Sequence, residues 1–578
     1  MSGVDTTPGG SIPGFELKDR FRALLERWDS SPRQGLPQVQ SGRAAYTWRG
    51  FGEDFPSLHV ASEPELRAAW KVRDIVSRVG VRLPAPPGSV VRGFTLSPDG
   101  LTVAALLSTP RTELAGLWIL AEDTAPIRIP GISAWYSAPV WEPNGAALWI
   151  LSGKPPQQRI TSADLRTGGR TEIPLPGTLE SEGSGSRLSL SLREGMLRIT
   201  AATPGRDSRS WQWRDETWVD APAPVPSRLT LAESCSGTTV LLDGTPVHRL
   251  SPAEHVTSFA VHAASGNDVL WMHSASPERP SGVYCLELPP AEVPLPLHPQ
   301  RFVHRRLFAK ARDGVDIPLT VSVRAADLAA DGLPLRPLPL ILTCYGGFGV
   351  KHRTEAEPSV PAWLESGGVY VAAHLRGGGE LGDAWHDAGR GPRKLRTVLD
   401  LVDVAEFLAA AGWSTPAQTV AFGASHGGLV VTSAALLSPA SFGGVVAVAP
   451  LLDTVNLDRH GLGTQWLHEF GADGECSQQE RALYSPLQVA AGLQSPAGTP
   501  PILCCVLGRD ERVDNHAAVD FVDAVRRHGG SAWLLSEHDG GHGQRAATDV
   551  MEFSATVLAF AARVSGMLVR SGQPAPPA

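Results

Sequence analysis

Cysteine is scarce in this chain, with six in 578 residues. Cys235, Cys285, Cys344, Cys476, Cys504 and Cys505 show no metal-ligand spacing and are too few for a disulfide scaffold, so they read as reduced, mostly buried thiols. No metal and no other cofactor is expected. Positive charge is also lacking: 51 Lys and Arg against 59 Asp and Glu give a net charge of −8. The basic residues are scattered, which excludes the concentrated basic surface that nucleic acid requires. Long apolar runs are missing too. The nearest, Val550 to Val569, is interrupted by Glu552 and Arg563 and follows helical spacing, so it reads as a terminal helix packed on a domain and not as a membrane span. Met1 to Pro13 has no basic start followed by an apolar stretch, so no secretory leader is expected and the cytoplasm is the default location. The tail Ser571 to Ala578, with three prolines, is expected to be disordered.

What is abundant is glycine (60) and proline (49), the punctuation of many short strands joined by tight turns. Apolar residues at 42% and charged residues at 19% are ordinary for a globular protein, and 578 residues exceed what one core holds. From Leu36 to Pro299 the pattern is apolar runs of four to seven residues between Gly, Pro, Asp or Asn turns. Phe94-Thr-Leu-Ser-Pro-Asp-Gly100 followed by Leu-Thr-Val-Ala-Ala-Leu reads as strand, turn, strand, and Val140-Trp-Glu-Pro-Asn-Gly145 repeats it 45 residues later. Weaker copies centre on Gly195, Gly237 and Gly266. Such a period, with four strands per unit, predicts a β-propeller of six or seven blades, with two β-sandwiches as the alternative.

After Pro299 the texture changes. Arg301 to Ala309 and Ile317 to Val323 read as a hairpin. Buried strands are predicted at Leu338 to Cys344, Val369 to Ala373, Thr419 to Phe422, Gly444 to Val448, Ile502 to Leu507 and Ala532 to Ser536. Helical stripes lie at Leu395 to Ala411, Gly428 to Leu437, His516 to His528 and Arg545 to Met567. This alternation predicts a doubly wound, mostly parallel sheet. The domains expected are an N-terminal segment, 1–35, packing on the second domain, a propeller, 36–299, and an α/β domain, 300–578.

Gly423-Ala-Ser425-His426-Gly427 fits the Gly-x-Ser-x-Gly elbow, a short string whose weight comes from its setting. An apolar strand ends at it and a helix-compatible run follows, so a strand-to-helix turn would lift the Ser425 hydroxyl above the sheet edge. A serine nucleophile needs a base and an orienting carboxylate, in this fold in the order Ser, Asp, His. Asp510 follows the strand ending at Leu507, and His542 follows the next strand in a glycine-rich loop; His538, Glu511 and Asp514 are competitors less well placed. Two further glycine-rich segments, Cys344 to Gly349 and Arg376 to Gly382, also close strands and are either turns or sources of donors to a substrate carbonyl.

Taken together, these strings resemble the prolyl oligopeptidase family of serine peptidases. The likeness is carried in family order by Tyr345-Gly-Gly-Phe348, Arg376-Gly-Gly-Gly-Glu-Leu-Gly382, Gly423-Ala-Ser-His-Gly-Gly428, Trp466-Leu-His-Glu-Phe-Gly471, Tyr484-Ser-Pro-Leu487, Asp510-Glu-Arg-Val513 and Gly541-His-Gly543. The resemblance implies an α/β-hydrolase domain with a propeller cap. Ser425 would attack the scissile carbonyl, His542 would take and return the proton, and Asp510 would orient the imidazole. Tyr345 and the His426 N–H would hold the oxyanion. Arg512 would grip a substrate carbonyl, and Phe348, Tyr484, Val513 and Trp466 would contribute to substrate binding. Departures from the family are a shorter propeller, a missing opening motif, His426 in place of the usual asparagine, and no tryptophan in Gln478 to Leu483 to stack on a proline ring.

The function expected is therefore a cytoplasmic serine oligopeptidase that cuts short unstructured peptides after proline through an acyl-enzyme, with the propeller limiting substrate size. The alternatives are a dedicated processing peptidase or macrocyclase, and an oligopeptidase or esterase of non-prolyl specificity. The expected partner is a short peptide, with no nucleic acid and no membrane, and a monomer is the favoured state. Glu480 could instead reach the pocket and favour arginine.

Overall fold

The computed structural model describes residues 5–567 apart from 7–10, 30–31, 72–76, 136, 156, 178, 180–186, 194, 203–207, 223–227, 235–236, 251–253, 265–266, 278, 289–300, 354–356, 472–473, 494–497, 539 and 543–544. The tail from Ser571, Cys235 and the turn expected at Gly266 lie outside these residues.

Among the described residues, six small antiparallel sheets occupy 33–288. The two turn motifs found in the sequence build equivalent hairpins, Val90–Leu96 with Thr102–Ser108 and Val140–Trp141 with Ala147–Ser152. In each the turn closes on a side chain: the Asp99 carboxylate accepts from the Leu101 N–H at 3.0 Å, and the Asn144 carbonyl accepts from the Ala146 N–H at 2.8 Å. A short sheet cannot bury two faces alone, so neighbouring sheets share seams. Leu58 and Val60 of the first pack with Val103 and Leu107 of the second, and Leu151 and Ile160 of the third with Ile199 and Trp211 of the fourth. The ring closes where Tyr46 and Trp70 of the first sheet region meet Trp271 and Val283 of the sixth. This is propeller architecture.

The second region is a nine-stranded sheet, β1 (Asp5–Thr6), β2 (Phe302–Lys310), β3 (Asp316–Arg324), β4 (Leu340–Cys344), β5 (Val369–Ala373), β6 (Thr419–Ala424), β7 (Gly444–Val448), β8 (Ile502–Leu507) and β9 (Ala532–Glu537). The spatial order is β1-β9-β8-β7-β6-β4-β5-β3-β2. Strands β4 to β9 are mutually parallel, and the hairpin β2–β3 and the short β1 add antiparallel edges. Side-chain alternation divides each central strand between two cores: Leu340, Leu342 and Cys344 point to one, Ile341 to the other; Val445 and Ala447 to one, Val446 to the other. Both faces are buried, so these strands read as continuous apolar runs.

Helices α3 (Lys394–Ala410), α4 (His426–Leu437) and α5 (Asn515–Arg527) cover the first face, while α1 (Lys18–Trp28), α2 (Ser359–Glu365) and α6 (Ala547–Val564) cover the second. Helices α1 and α2 were not anticipated from the sequence, although Phe21, Leu25 and Trp28 carry the helical spacing that buries α1 on α6. The long helix expected from Arg545 is α6, and its buried residues Ala555 to Ala562 pack on the sheet. No helix among the described residues is long and apolar enough to cross a membrane.

Candidate active site

Strand β4 has β5 on one side and β6 on the other, so the chain reverses direction across the sheet there and leaves a crevice at the carboxyl ends. Tyr345 follows β4, Ser425 follows β6, Asp510 follows β8 and His542 follows β9. Residues far apart in sequence thus meet at one edge because parallel strands present all their carboxyl ends on the same side.

Ser425 sits between β6 and α4 with φ 54° and ψ −118°, a conformation non-glycine residues rarely adopt. The turn is tight enough to dictate its neighbours. A Cβ on Gly423 would lie 2.2 Å from the Gly427 carbonyl oxygen, and one on Gly427 would lie 2.5 Å from that of Cys344. The Ser425 N–H donates to the Val448 carbonyl at 2.8 Å, which ties the strained residue to β7.

His542 Nδ1 donates to the Asp510 carboxylate at 2.7 Å. The other Asp510 oxygen accepts from the Arg512 N–H at 2.8 Å and the Val513 N–H at 3.0 Å. Burial by itself would raise the Asp510 carboxyl, but the His542 bond and these backbone donors hold it below the usual carboxylate range. The imidazole therefore keeps Nδ1 protonated and leaves Nε2 for the serine side. Ser425 and His542 line one cavity of about 440 Å³, together with Tyr345, Phe348, His426, Trp466 and Arg512.

Two donors face this cavity. His426 opens α4, so its N–H is among the first-turn donors without an intrahelical acceptor. Burial pushes the Tyr345 phenol up to about 12, the Ser425 hydroxyl only partly opposing, so the phenol remains a donor across the working range of pH. The His426 side chain links the two: its Nδ1 donates to the Tyr345 carbonyl at 2.7 Å. Burial, helped by Lys394, lowers this imidazole to about 3, so it is neutral. Its ring lies against Phe348 and Phe470, at centroid distances of 5.5 and 5.9 Å.

The expected binding residues divide. Phe348, Trp466 and Arg512 line the cavity. Tyr484 and Val513 do not; both are buried, and the Tyr484 carbonyl accepts from Ser433 at 2.6 Å. Glu480 lies outside the cavity as well: its carboxylate accepts from the Ser477 N–H at 2.7 Å and caps the short helix Gln478–Ala482 at the surface. The competing acids are committed elsewhere, Asp514 to capping α5 and Glu511 to an ion pair with Lys154 at 2.8 Å. His538 is exposed at the end of β9. Arg376 is a scaffold residue, buried between Asp400 and Asp313. The two glycine-rich segments pack on each other, Gly349 N–H to the Gly377 carbonyl at 3.1 Å.

Two arrangements near the site were missed by the sequence reading. Arg512 reaches across to Glu113 of the propeller at 3.1 Å. Against Phe470, whose ring meets Phe348, lies a buried charge cluster in which Glu469 pairs with Lys394 and, at 2.8 Å, with His386. Burial would raise Glu469, but Lys394 and His386 hold it near 2. Nothing in a linear pattern pairs Lys394 with Glu469, 75 positions apart.

The prolyl oligopeptidase family matches residues 356–568. An uncharacterized peptidase of Sinorhizobium fredii is 32% identical over 235 residues, 39% of this chain and 31% of that protein. The prolyl endopeptidase of Elizabethkingia meningoseptica is 28% identical over 276 residues, 46% of this chain and 37% of the relative. The match thus spans about a third of the length of these curated relatives. Among solved structures, prolyl oligopeptidase B from Galerina marginata, bound to a 35mer hydrolysis and macrocyclization substrate, superposes with a TM-score of 0.75 at 16% identity, covering 96% of this chain and 91% of that one. At that identity the likeness establishes the fold, an α/β-hydrolase domain with a β-propeller.

Proposed function

We propose, from the premise that this chain belongs to the prolyl oligopeptidase family, that it is a serine oligopeptidase hydrolysing short peptides on the carboxyl side of proline. The observation that carries the reading is the His542–Asp510 bond of 2.7 Å beside a serine strained into an elbow at the same cavity. Ser425 attacks the scissile carbonyl while His542 Nε2 takes its proton, and Asp510 fixes the imidazole and stabilises the cation that forms. The tetrahedral oxygen is held by the Tyr345 hydroxyl and the His426 N–H. His542 then passes the proton to the departing amine, leaving an acyl-enzyme that water opens by the same steps in reverse.

Phe348 and Trp466 give an apolar, aromatic wall that suits a proline ring, and the exposed, capping Glu480 offers nothing to an arginine side chain. Size selection rests on the propeller. Glu113 to Arg512, Lys154 to Glu511 and the Arg353 guanidinium to the Val256 carbonyl at 2.7 Å bridge the two domains beside the cavity. A folded protein does not pass such a rim. The propeller and the α/β domain are proposed to part at their linkers to admit substrate.

The test is a peptide panel differing only in the residue before the cut, read by mass spectrometry. Cleavage after proline first, alanine second and little after arginine is expected, with a serine-directed fluorophosphonate labelling Ser425. Arginine exceeding proline in kcat/KM would overturn the prolyl reading. A cyclic product in place of a hydrolysed one would move the protein to the macrocyclase alternative.

A further inference from the structure

A second cavity, of about 410 Å³, adjoins the first at the reacting pair. It shares Glu357, Tyr370, Phe422, Ala424, Ser425 and His542 with the first but does not include Tyr345 or His426. Beyond the shared Tyr370 and Phe422, its own walls are Leu507 and, from α6, Val550, Phe553 and Val557. The Arg545 guanidinium lies over the Phe553 ring at 4.6 Å and is itself ion-paired with Glu537; Glu357, Ser359 and Ser554 are the other polar side chains in a lining that is otherwise apolar away from the reacting pair.

The chemistry separates the roles of the two cavities. The acyl half of a substrate must place its carbonyl oxygen against the oxyanion donors, and both of these belong to the first cavity. The leaving half must place its nitrogen near the imidazole that protonates it, and His542 is common to both. We propose that the second cavity is the subsite for the residue immediately after the scissile bond, and that it selects a bulky apolar side chain there. The inference rests on the serine peptidase reading above. In acylation the C–N bond breaks and the departing nitrogen receives from His542 the proton that Ser425 gave up, so a side chain seated between Phe422 and Phe553 holds that nitrogen at the ring. Burying such a side chain in place of a glycine favours the reaction by about tenfold or more, provided the contact persists in the transition state.

The experiment uses the full chain and peptides identical up to the cut, followed by Gly, Ala, Leu, Phe or Asp. Leu and Phe are expected to exceed Gly by about tenfold or more in kcat/KM, with Asp slowest. Two variants that fill the cavity, Val550→Trp and Ser554→Tyr, are expected to bring the Phe to Gly ratio close to unity. Rates are referred to the fraction of protein labelled by fluorophosphonate, so that misfolded molecules do not enter the ratio. Equal rates for Gly and Phe in the wild type, or a preference that survives in both variants, would overturn the subsite while leaving the peptidase reading intact. Absence of both labelling and cleavage would overturn the two together.

Discussion

The propeller and the α/β domain solve the problem of burying polar backbone in opposite ways. In the propeller each sheet is small, its turns are closed by local side chains such as Asp99 and Asn144, and cohesion comes from apolar seams between neighbours. In the α/β domain the sheet is continuous and covered on both faces, and ionised groups are buried next to the reactive edge: Lys394, Glu469, Arg376 and Asp400 are all nearly inaccessible. Where the propeller buries Glu113, the carboxylate points to Arg512 of the other domain. Glu63 and Glu254 are also buried in the propeller, each held by a partner within it. Buried charge is costly unless paired, and beside the reactive edge it is paired as Lys394–Glu469 and Arg376–Asp400.

The sharpest way to separate the two regions is to remove the nucleophile. Ser425→Ala is expected to lower turnover by at least ~10³-fold with an unchanged melting temperature, and His542→Ala added to it should cost little more, since the groups act as a unit. Steady-state kinetics on protein free of wild-type contamination checks this. Normal turnover would refute the site.

Breaking the buried pair tests the cost of buried charge. Glu469→Gln strands Lys394 in the core and is expected to destabilise the domain by about 3–5 kcal/mol, measured by urea unfolding. In the propeller Trp271→Ala, at the seam that closes the ring, should cost a similar ~3–5 kcal/mol through its cavity. The two differ in kind: the propeller variant, where folded, should retain the wild-type rate of Ser425 phosphonylation.

Tyr345→Phe removes one oxyanion donor and is expected to reduce kcat by ~10²–10³-fold while KM changes little. The pH dependence of stability follows from Asp510. Its folded pKa is depressed, so its contribution is fully present above the unfolded value of about 3.9 and is lost as pH falls through the lower folded value. The melting temperatures of wild type and Asp510→Asn should therefore differ at neutral pH and converge in strong acid. Smallest is the rim: Lys154→Ala breaks a half-exposed pair with Glu511 and should change stability by only ~0–1 kcal/mol, while accelerating cleavage of unfolded casein relative to a short peptide if that contact helps hold the entrance closed.

The amino-acid sequence by itself determined the elements that repeat or alternate. Apolar runs of strand length, the Ser-Pro-Asp-Gly and Glu-Pro-Asn-Gly turns, and glycines flanking Ser425 are local features, and local sterics and turn chemistry translate them directly into strands, hairpins and an elbow. The order of Ser425, Asp510 and His542 was legible for the same reason, because each follows the end of a parallel strand. Helix α2 was missed because seven residues carry too little periodicity. Only the tertiary structure decided which residues reach the cavity. Tyr484 and Val513 have the right chemistry but are buried and do not line it, Glu480 is held by Ser477 at the surface, and Lys394 meets Glu469 only through the packing of α3. Short-range rules fix what each segment becomes, but the facing of one segment toward another depends on burial summed over the whole core, which no spacing in the chain records.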